Sequence, residues 1–249
     1  MLPVINTPSY ELELPSNNKK VKYRPFLMPE NKLMLQAKEE KDSKQQYSTI
    51  RKIIQQCTFG EIKHDTPLSP VDVEYIYLKL VIVSKGSKSN IGLTCQNIIE
   101  RPARNHPSLG PIPASKGKCS RVNEIEIDLE KVLVNDKPKN TIMLSGDIGI
   151  RLNMPVVDEN IVDEDNTDMM EFIIQHIDCI FNSENVYPAA DSSHDELVSF
   201  LDQLNEEQFV RIIDFFRNLP VIKMDVEYKC ESCGNVEKKE LRGLQALFM

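Results

Sequence analysis

An excess of basic charge is the first thing this sequence lacks: 30 Lys plus Arg stand against 38 Asp plus Glu, a formal charge of −8. Nucleic-acid-binding proteins carry a basic patch or stripe, so this balance argues against a nucleic-acid partner. No apolar run approaches the roughly 20 residues that cross a bilayer, so no membrane span is expected. Residues Met1 to Tyr10 lack a basic stretch followed by an apolar one, the mark of a secretory signal. The expectation is therefore a cytoplasmic protein whose cysteines are reduced. The four histidines, His64, His106, His176 and His194, are scattered and form no metal-type pair. No Ser-His-Asp context, phosphate-cradling glycine loop or dinucleotide fingerprint is present. Ser145-Gly146-Asp147-Ile148-Gly149 has two glycines but neither the third glycine nor the lysine, and reads as a turn. The acidic run from Asp158 to Asp168 misses the alternating acids and central glycine of a calcium loop and reads as a solvated linker. These absences point away from an enzyme.

What is present is a chain of 249 residues with a 41% hydrophobic share, long enough to bury a real core. Tyr10 to Leu14 and Lys20 to Arg24 alternate around the turn residues 15–18 and predict a hairpin. Pro29 opens a predicted helix to about Glu40, and a second runs from about Ser43 to Gln56. Ser69, Pro70 and Asp72 make a helix start. The β-branched run Val71 to Val83 is therefore read as a helix, although its composition also suits a strand. Pro102, Pro107, Gly110, Pro111, Pro113 and Gly117 predict a long exposed loop over residues 96–118. Strands are expected at Val122 to Leu129, Thr141 to Leu144 and Asp147 to Met154. Met169 to Phe181 carries apolar residues at helical spacing. Ser193 to Glu196 and Asn205 to Gln208 have the form of capping boxes ahead of two further helices. Val221 to Tyr228 and Val236 to Leu241 read as strands about a turn.

Four segments follow from this pass: residues 1–85, a hairpin with helices; 86–155, β-rich with the proline-rich loop; 156–220, the acidic linker with helices; and 221–249, a cysteine-bearing hairpin packing with 86–155. Together they are expected to form one compact α+β unit. Its fold class would be a helical-bundle-like core with small antiparallel hairpins, including a zinc-ribbon-like pair, intact or degenerate.

The six cysteines carry the sharpest local signal. Cys230-Glu231-Ser232-Cys233-Gly234 between two strands is a zinc knuckle, because its tight turn aims two thiolates at one point. A structural zinc needs four ligands, and Cys95 and Cys119 are the natural second pair. Their spacing is far from the two to four residues usual in such sites, so two readings stand: one structural zinc on Cys95, Cys119, Cys230 and Cys233, or a ribbon that has lost its metal. No strand-then-helix context supports a thioredoxin-like redox role. Cys57 and Cys179 are expected as buried core thiols on apolar helical faces. The apolar end offers Leu244, Leu247 and Phe248 as partner-binding residues, or as residues folded onto the domain.

Several strings resemble the T4-type bacteriophage baseplate proteins. They are Tyr10 to Ser16 with Lys19 to Phe26, Cys57-Thr58-Phe59-Gly60, Asp72 to Tyr75, Glu124 to Val132 and Leu204 to Phe209. Phe215-Phe216, Leu219-Pro220, Val226 to Gly234 and Leu241 to Leu244 complete them. The resemblance departs between Cys95 and Cys119, where related sequences are more compact and carry paired cysteines. It implies a role in building the central hub of the tail baseplate in the host cytoplasm. The chain would act as an assembly factor, or chaperone, binding other hub proteins transiently. The alternative it leaves open is a structural subunit of the hub.

Overall fold

The computed structural model describes residues 6–39, 43–63, 65–101, 103–106, 110–112, 114–156 and 169–248. His64 and the acidic run from Asp158 to Asp168 lie outside the described residues. In chain order the elements are β1 (Tyr10–Glu13), β2 (Lys20–Tyr23), α1 (Met28–Glu39), α2 (Ser43–Cys57), α3 (Pro70–Lys85), β3 (Lys88–Thr94), β4 (Ile98–Arg101), β5 (Arg104–His106), β6 (Gly110–Ile112), β7 (Ser115–Lys118) and β8 (Val122–Asp128). Then follow β9 (Leu133–Val134), β10 (Thr141–Ser145), β11 (Ile148–Leu152), α4 (Met169–Gln175), β12 (Ile177–Phe181), β13 (Val186–Pro188), α5 (His194–Leu201), α6 (Glu206–Arg217), β14 (Ile222–Lys229), β15 (Val236–Arg242) and α7 (Gly243–Phe248). The chain divides into two units, Met1–Ser84 with Val134–Val221, and Lys85–Leu133 with Ile222–Met249.

In the first unit, β1 and β2 pair antiparallel with Leu12 opposite Val21, and the alternating pattern buries Leu12, Leu14, Val21 and Tyr23. The start of α3 is set by Ser69, whose carbonyl and hydroxyl accept the Asp72 N–H at 3.1 and 3.4 Å. Val71, Val73, Ile76, Leu78, Leu80 and Val81 are all buried. A helix covered on several sides shows no amphipathic stripe, which is why this run carries a strand-like composition.

The second half of this unit overturns the expectation of a helical-bundle core. Its core joins a four-stranded antiparallel sheet, β10-β11-β12-β13, to three short helices. Leu144, Ile150, Leu152 and Ile177 from the strands meet Ile173, Ile174, Leu197, Leu201, Ile212 and Phe215 from α4, α5 and α6. The protein is strand-rich, with several small antiparallel sheets alongside its helices. The main misreading lies at Met169 to Phe181, where the single expected helix is α4 followed by β12. A helical stripe and a buried strand both place an isoleucine at 173 and at 177, and pairing with β11 and β13 decides for the strand. Cys179 is buried as expected, on a strand and not on a helix. Both capping boxes form: Ser193 with Glu196, and Asn205 with Gln208.

Gly149 lies opposite Phe181 across β11 and β12. A Cβ at residue 149 would come within 2.3 Å of Phe181 Cζ and 2.9 Å of both Cε atoms. Gly149→Ala is expected to cost about 1–3 kcal/mol through this overlap. In a double-mutant cycle with Phe181→Ala, the two costs should combine to less than their sum, because the second change removes the ring. Simple addition in chemical denaturation would sink this account.

The second unit is built mainly of hairpins. β3 and β8 pair in full register from Lys88 opposite Asp128 to Thr94 opposite Val122, burying Ile91, Leu93 and Ile127. β14 and β15 pair from Lys223 opposite Arg242 to Lys229 opposite Val236. Helix α7 packs on β3, β14 and β15. The proline-rich stretch is not the featureless loop expected. β4 pairs with β7 and β5 with β6, with Asn105 opposite Pro111. Proline removes only a backbone donor, and a two-stranded ribbon, whose strands are both edges, tolerates that loss. Pro102, Pro107 and Pro113 lie outside the described residues.

Candidate metal centre

Two strand ends and two turns bring Cys95, Cys119, Cys230 and Cys233 together, with all four sulfurs within 4.8 Å of one another. Cys95 Sγ lies 3.7 Å from Cys233 Sγ, and Cys119 Sγ lies 3.8 Å from Cys230 Sγ. Four sulfurs bonded at about 2.3 Å to one tetrahedral metal lie about 3.8 Å apart. These two pairs already have that separation, so this donor set fits a single tetrahedral thiolate-bound ion. Cys95 and Cys230 are buried, while Cys119 and Cys233 are partly exposed.

The two halves of the site share one backbone geometry. In the second knuckle, the Cys230 N–H donates to the Asn235 carbonyl at 2.8 Å, and the Gly234 N–H donates to the Cys230 carbonyl at 2.9 Å. In the first, the Cys95 N–H donates to the Arg121 carbonyl at 2.9 Å, and the Ser120 N–H donates to the Cys95 carbonyl at 3.1 Å. Gly234 has φ of 69° and Ser120 has φ of 55°, both in the left-handed region that the turn demands. Cys95, Cys119, Ser120 and Arg121 therefore occupy the places of Cys230, Cys233, Gly234 and Asn235. Gln96 and Asn97 stand where Glu231 and Ser232 stand. After Asn97 the chain leaves as β4 and returns as β7, and the Cys119 N–H closes on the Asn97 carbonyl at 2.8 Å. The first knuckle is a Cys-x-x-Cys turn split by an insertion, residues 98–118. That insertion accounts for the linear spacing that made Cys95 and Cys119 look ill-matched.

Polar groups around the sulfurs hold the turns. The Asn97 side-chain amide donates to Cys233 Sγ at 3.6 Å. Asn123, buried in β8, donates to the carbonyls of Leu93 and Arg121 at 3.3 and 3.2 Å and accepts the Glu231 N–H at 2.9 Å, tying one knuckle to the other. Glu237 Oε1 accepts from Cys95 Sγ and the Gln96 N–H, both at 3.1 Å, and its Oε2 accepts from Tyr228, its cross-strand partner, at 2.7 Å. The N–H groups of Cys233 and Ser232 donate to Cys230 and, against burial, lower its thiol to about 6. Burial, and then the Glu237 carboxylate, pushes Cys95 upward. The turn amides thus favour the thiolate at Cys230, while Cys95, held up by burial, sheds its proton when a metal binds.

The sequence pattern points to the four cysteines but not to Asn97, Asn123, Tyr228 and Glu237, which support them. Asn123 had a signal: it is a polar residue on the same strand face as Ile125 and Ile127. Of the other expected site residues, Leu247 is fully buried and Leu244 half-buried. The side chain of Phe248 lies outside the described residues. His176 is buried, its Nδ1 2.7 Å from the Phe172 carbonyl, and His194 pairs with Glu171 at 2.9 Å. Neither reaches the cysteine cluster. A separate pocket of about 300 Å³ in the first unit is lined by Ile148, Ile180, Phe181, Tyr187, Leu197 and Phe200 among others. Its one acid, Glu196, already accepts the Ser193 N–H and hydroxyl.

No helix among the described residues is long and apolar enough to cross a membrane. A family model described as T4 bacteriophage base plate protein matches residues 7–249. No curated protein and no solved structure matches the chain.

Proposed function

We propose, from the premise that the chain belongs to the T4 bacteriophage base plate protein family, that it is an assembly factor for the baseplate hub and not a chemical enzyme. The observation that carries this reading is the extent of the match, which takes in both units and the cysteine-bearing hairpin. The family points to partners among other phage baseplate proteins. In this reading the chain binds a hub component transiently, in the cytoplasm of the infected host, and lowers the barrier to hub formation. A factor of this kind must bind the intermediate more tightly than the finished hub, otherwise it would slow its own release.

One zinc ion on Cys95, Cys119, Cys230 and Cys233 belongs to the same proposal. When bound, it supplies a rigid cross-link and no reactive position, since four thiolates close a tetrahedral shell. The residues of the chain do the rest: the backbone amides orient the sulfurs, and Asn123 and Glu237 hold the two turns.

Quantitative mass analysis of finished particles and of assembly intermediates tests the function. The protein is expected in association with hub intermediates and at far below one copy per hub component in mature particles. Stoichiometric presence in the mature baseplate would replace the assembly reading with that of a structural subunit.

A further inference from the structure

The insertion that splits the first knuckle has no structural need of its own at the metal centre. The second knuckle closes around its sulfurs with a plain turn in the same place. β4 and β7 form a four-pair ladder, Ile98 opposite Lys118 and Glu100 opposite Lys116. Two-stranded ribbons are marginal in water unless a further surface covers them. This one is open on one whole face, where Ile98, Glu100, Lys116 and Lys118 are all exposed, while Ile99 and Gly117 on the other are half-buried. Its root, by contrast, is fixed between two metal-type ligands, Cys95 and Cys119.

Its charge runs against that of the chain. Residues 98–118 hold Arg101, Arg104, Lys116 and Lys118 against Glu100 alone, within a chain of net charge −8. Residues two apart on a strand share a face, so Ile98, which is 68% exposed, has Lys118 directly opposite, Lys116 diagonal to it and Glu100 beside it on one face. The Lys116–Glu100 pair at 2.7 Å is solvent-exposed on both sides, a kind of pair that yields readily to a stronger partner. Among the described residues Lys118 and Arg101 bond to neutral oxygens, those of Gln96 and of the Lys118 backbone.

We infer that the β4–β7 ribbon is a docking finger for an acidic segment of a partner protein, one that sets carboxylates on Lys116 and Lys118 and an apolar side chain on Ile98. The protein nature of the partner rests on the assembly reading above. The chemistry of the patch rests on the ribbon alone. The strong acidity of the rest of the chain repels a long polyanion and favours a short acidic segment over nucleic acid.

The test uses the full-length, zinc-loaded chain. Fluorescence anisotropy follows binding of a labelled peptide of Glu and Leu, of its Gln-for-Glu counterpart, and of a DNA duplex. The acidic peptide should bind best and weaken as salt rises. Lys116→Glu with Lys118→Glu should weaken it by about tenfold or more, and Ile98→Ser by a few-fold. Metal stoichiometry of one per chain in each variant shows that the knuckles remain intact. Unchanged peptide affinity in the double variant overturns the inference, and so does tighter binding to the DNA duplex than to the peptide. If the double variant supports hub assembly as the parent does, the finger falls and the assembly reading stands. If the peptide result holds while the chain proves stoichiometric in mature particles, the assembly reading falls and the finger stands.

Discussion

Cys230→Ser should abolish metal binding and unfold the second unit while the first stays folded. The reason is size. This unit buries a short set of side chains, chiefly Ile91, Leu93, Ile127, Leu129, Ile222, Met224, Val226, Tyr228, Leu241 and Leu247. Domains of this scale rarely gain more than about 3–5 kcal/mol from their core and usually need a staple. Structural zinc in small peptides supplies an apparent binding free energy of about 10–16 kcal/mol, which far exceeds such a core's margin. Loss of one ligand removes most of that energy and leaves three thiols in a half-buried site. Cys230 is the most telling position, because its sulfur accepts the Cys233 and Ser232 N–H groups that shape its turn. Hydrogen exchange reads the result unit by unit. Amides of the β3–β8 and β14–β15 ladders should lose their protection, and those of α6 should keep it. Chelation of the wild type should reproduce the pattern. A serine variant whose β14–β15 amides stay as protected as those of the parent would sink both the metal centre and its structural role.

Glu30→Gln should destabilise the first unit by about 3–5 kcal/mol, the usual cost of leaving one partner of a buried ion pair unmatched. Glu30 lies at the start of α1 and is almost fully buried, with Oε1 accepting from Arg24 and Oε2 from the Leu27 N–H, both at 2.8 Å. Among the described residues the Arg24 guanidinium has two other partners, the Pro25 carbonyl at 3.1 Å and the Cys57 sulfur at 4.0 Å. Burial holds the Cys57 thiol up at about 12, so it offers no negative charge. Burial by itself would raise the Glu30 carboxyl, but the Arg24 guanidinium and the Leu27 and Glu30 N–H groups outweigh it and hold the group below the ordinary carboxylate range. Its folded pKa is therefore depressed. The stabilisation is fully present above the unfolded value and is lost as pH falls through the folded one. Urea midpoints should separate the variant from the parent near neutral pH and converge in acid. The exposed Lys20–Glu11 pair at 3.3 Å supplies the contrast, since Glu11→Gln should change stability by less than about 1 kcal/mol. Equal midpoints for the Glu30→Gln variant and the parent at neutral pH would refute the account.

Much of the local structure was legible in the residues. The capping boxes at Ser193 and Asn205, the helix start at Ser69 and the hairpin of β1 and β2 each depend on chemistry confined to a few neighbouring positions. Such signals survive in a linear sequence. The errors arose where two structures share one pattern. Ile173 and Ile177 fit a helical stripe and a buried strand equally well, and only the pairing of β12 with β11 and β13 separates them. The prolines of the insertion signal a break in regular structure, yet β6 takes Pro111 without loss, because a ribbon edge asks nothing of the missing N–H.

The cysteine site divides in the same way. The sequence by itself determined the second knuckle, because Cys230, Cys233 and Gly234 are neighbours and a tight turn with a left-handed residue is a local property. It also determined the family, through strings spread along the whole chain. Tertiary structure alone decided that Cys95 and Cys119 form the matching knuckle, since the β4–β7 ladder brings Asn97 back beside Cys119 and cancels the distance along the chain. It alone decided that α4, α5 and α6 rest on the β10-β11-β12-β13 sheet, because a helix stripe names the face that is buried and not the surface that buries it.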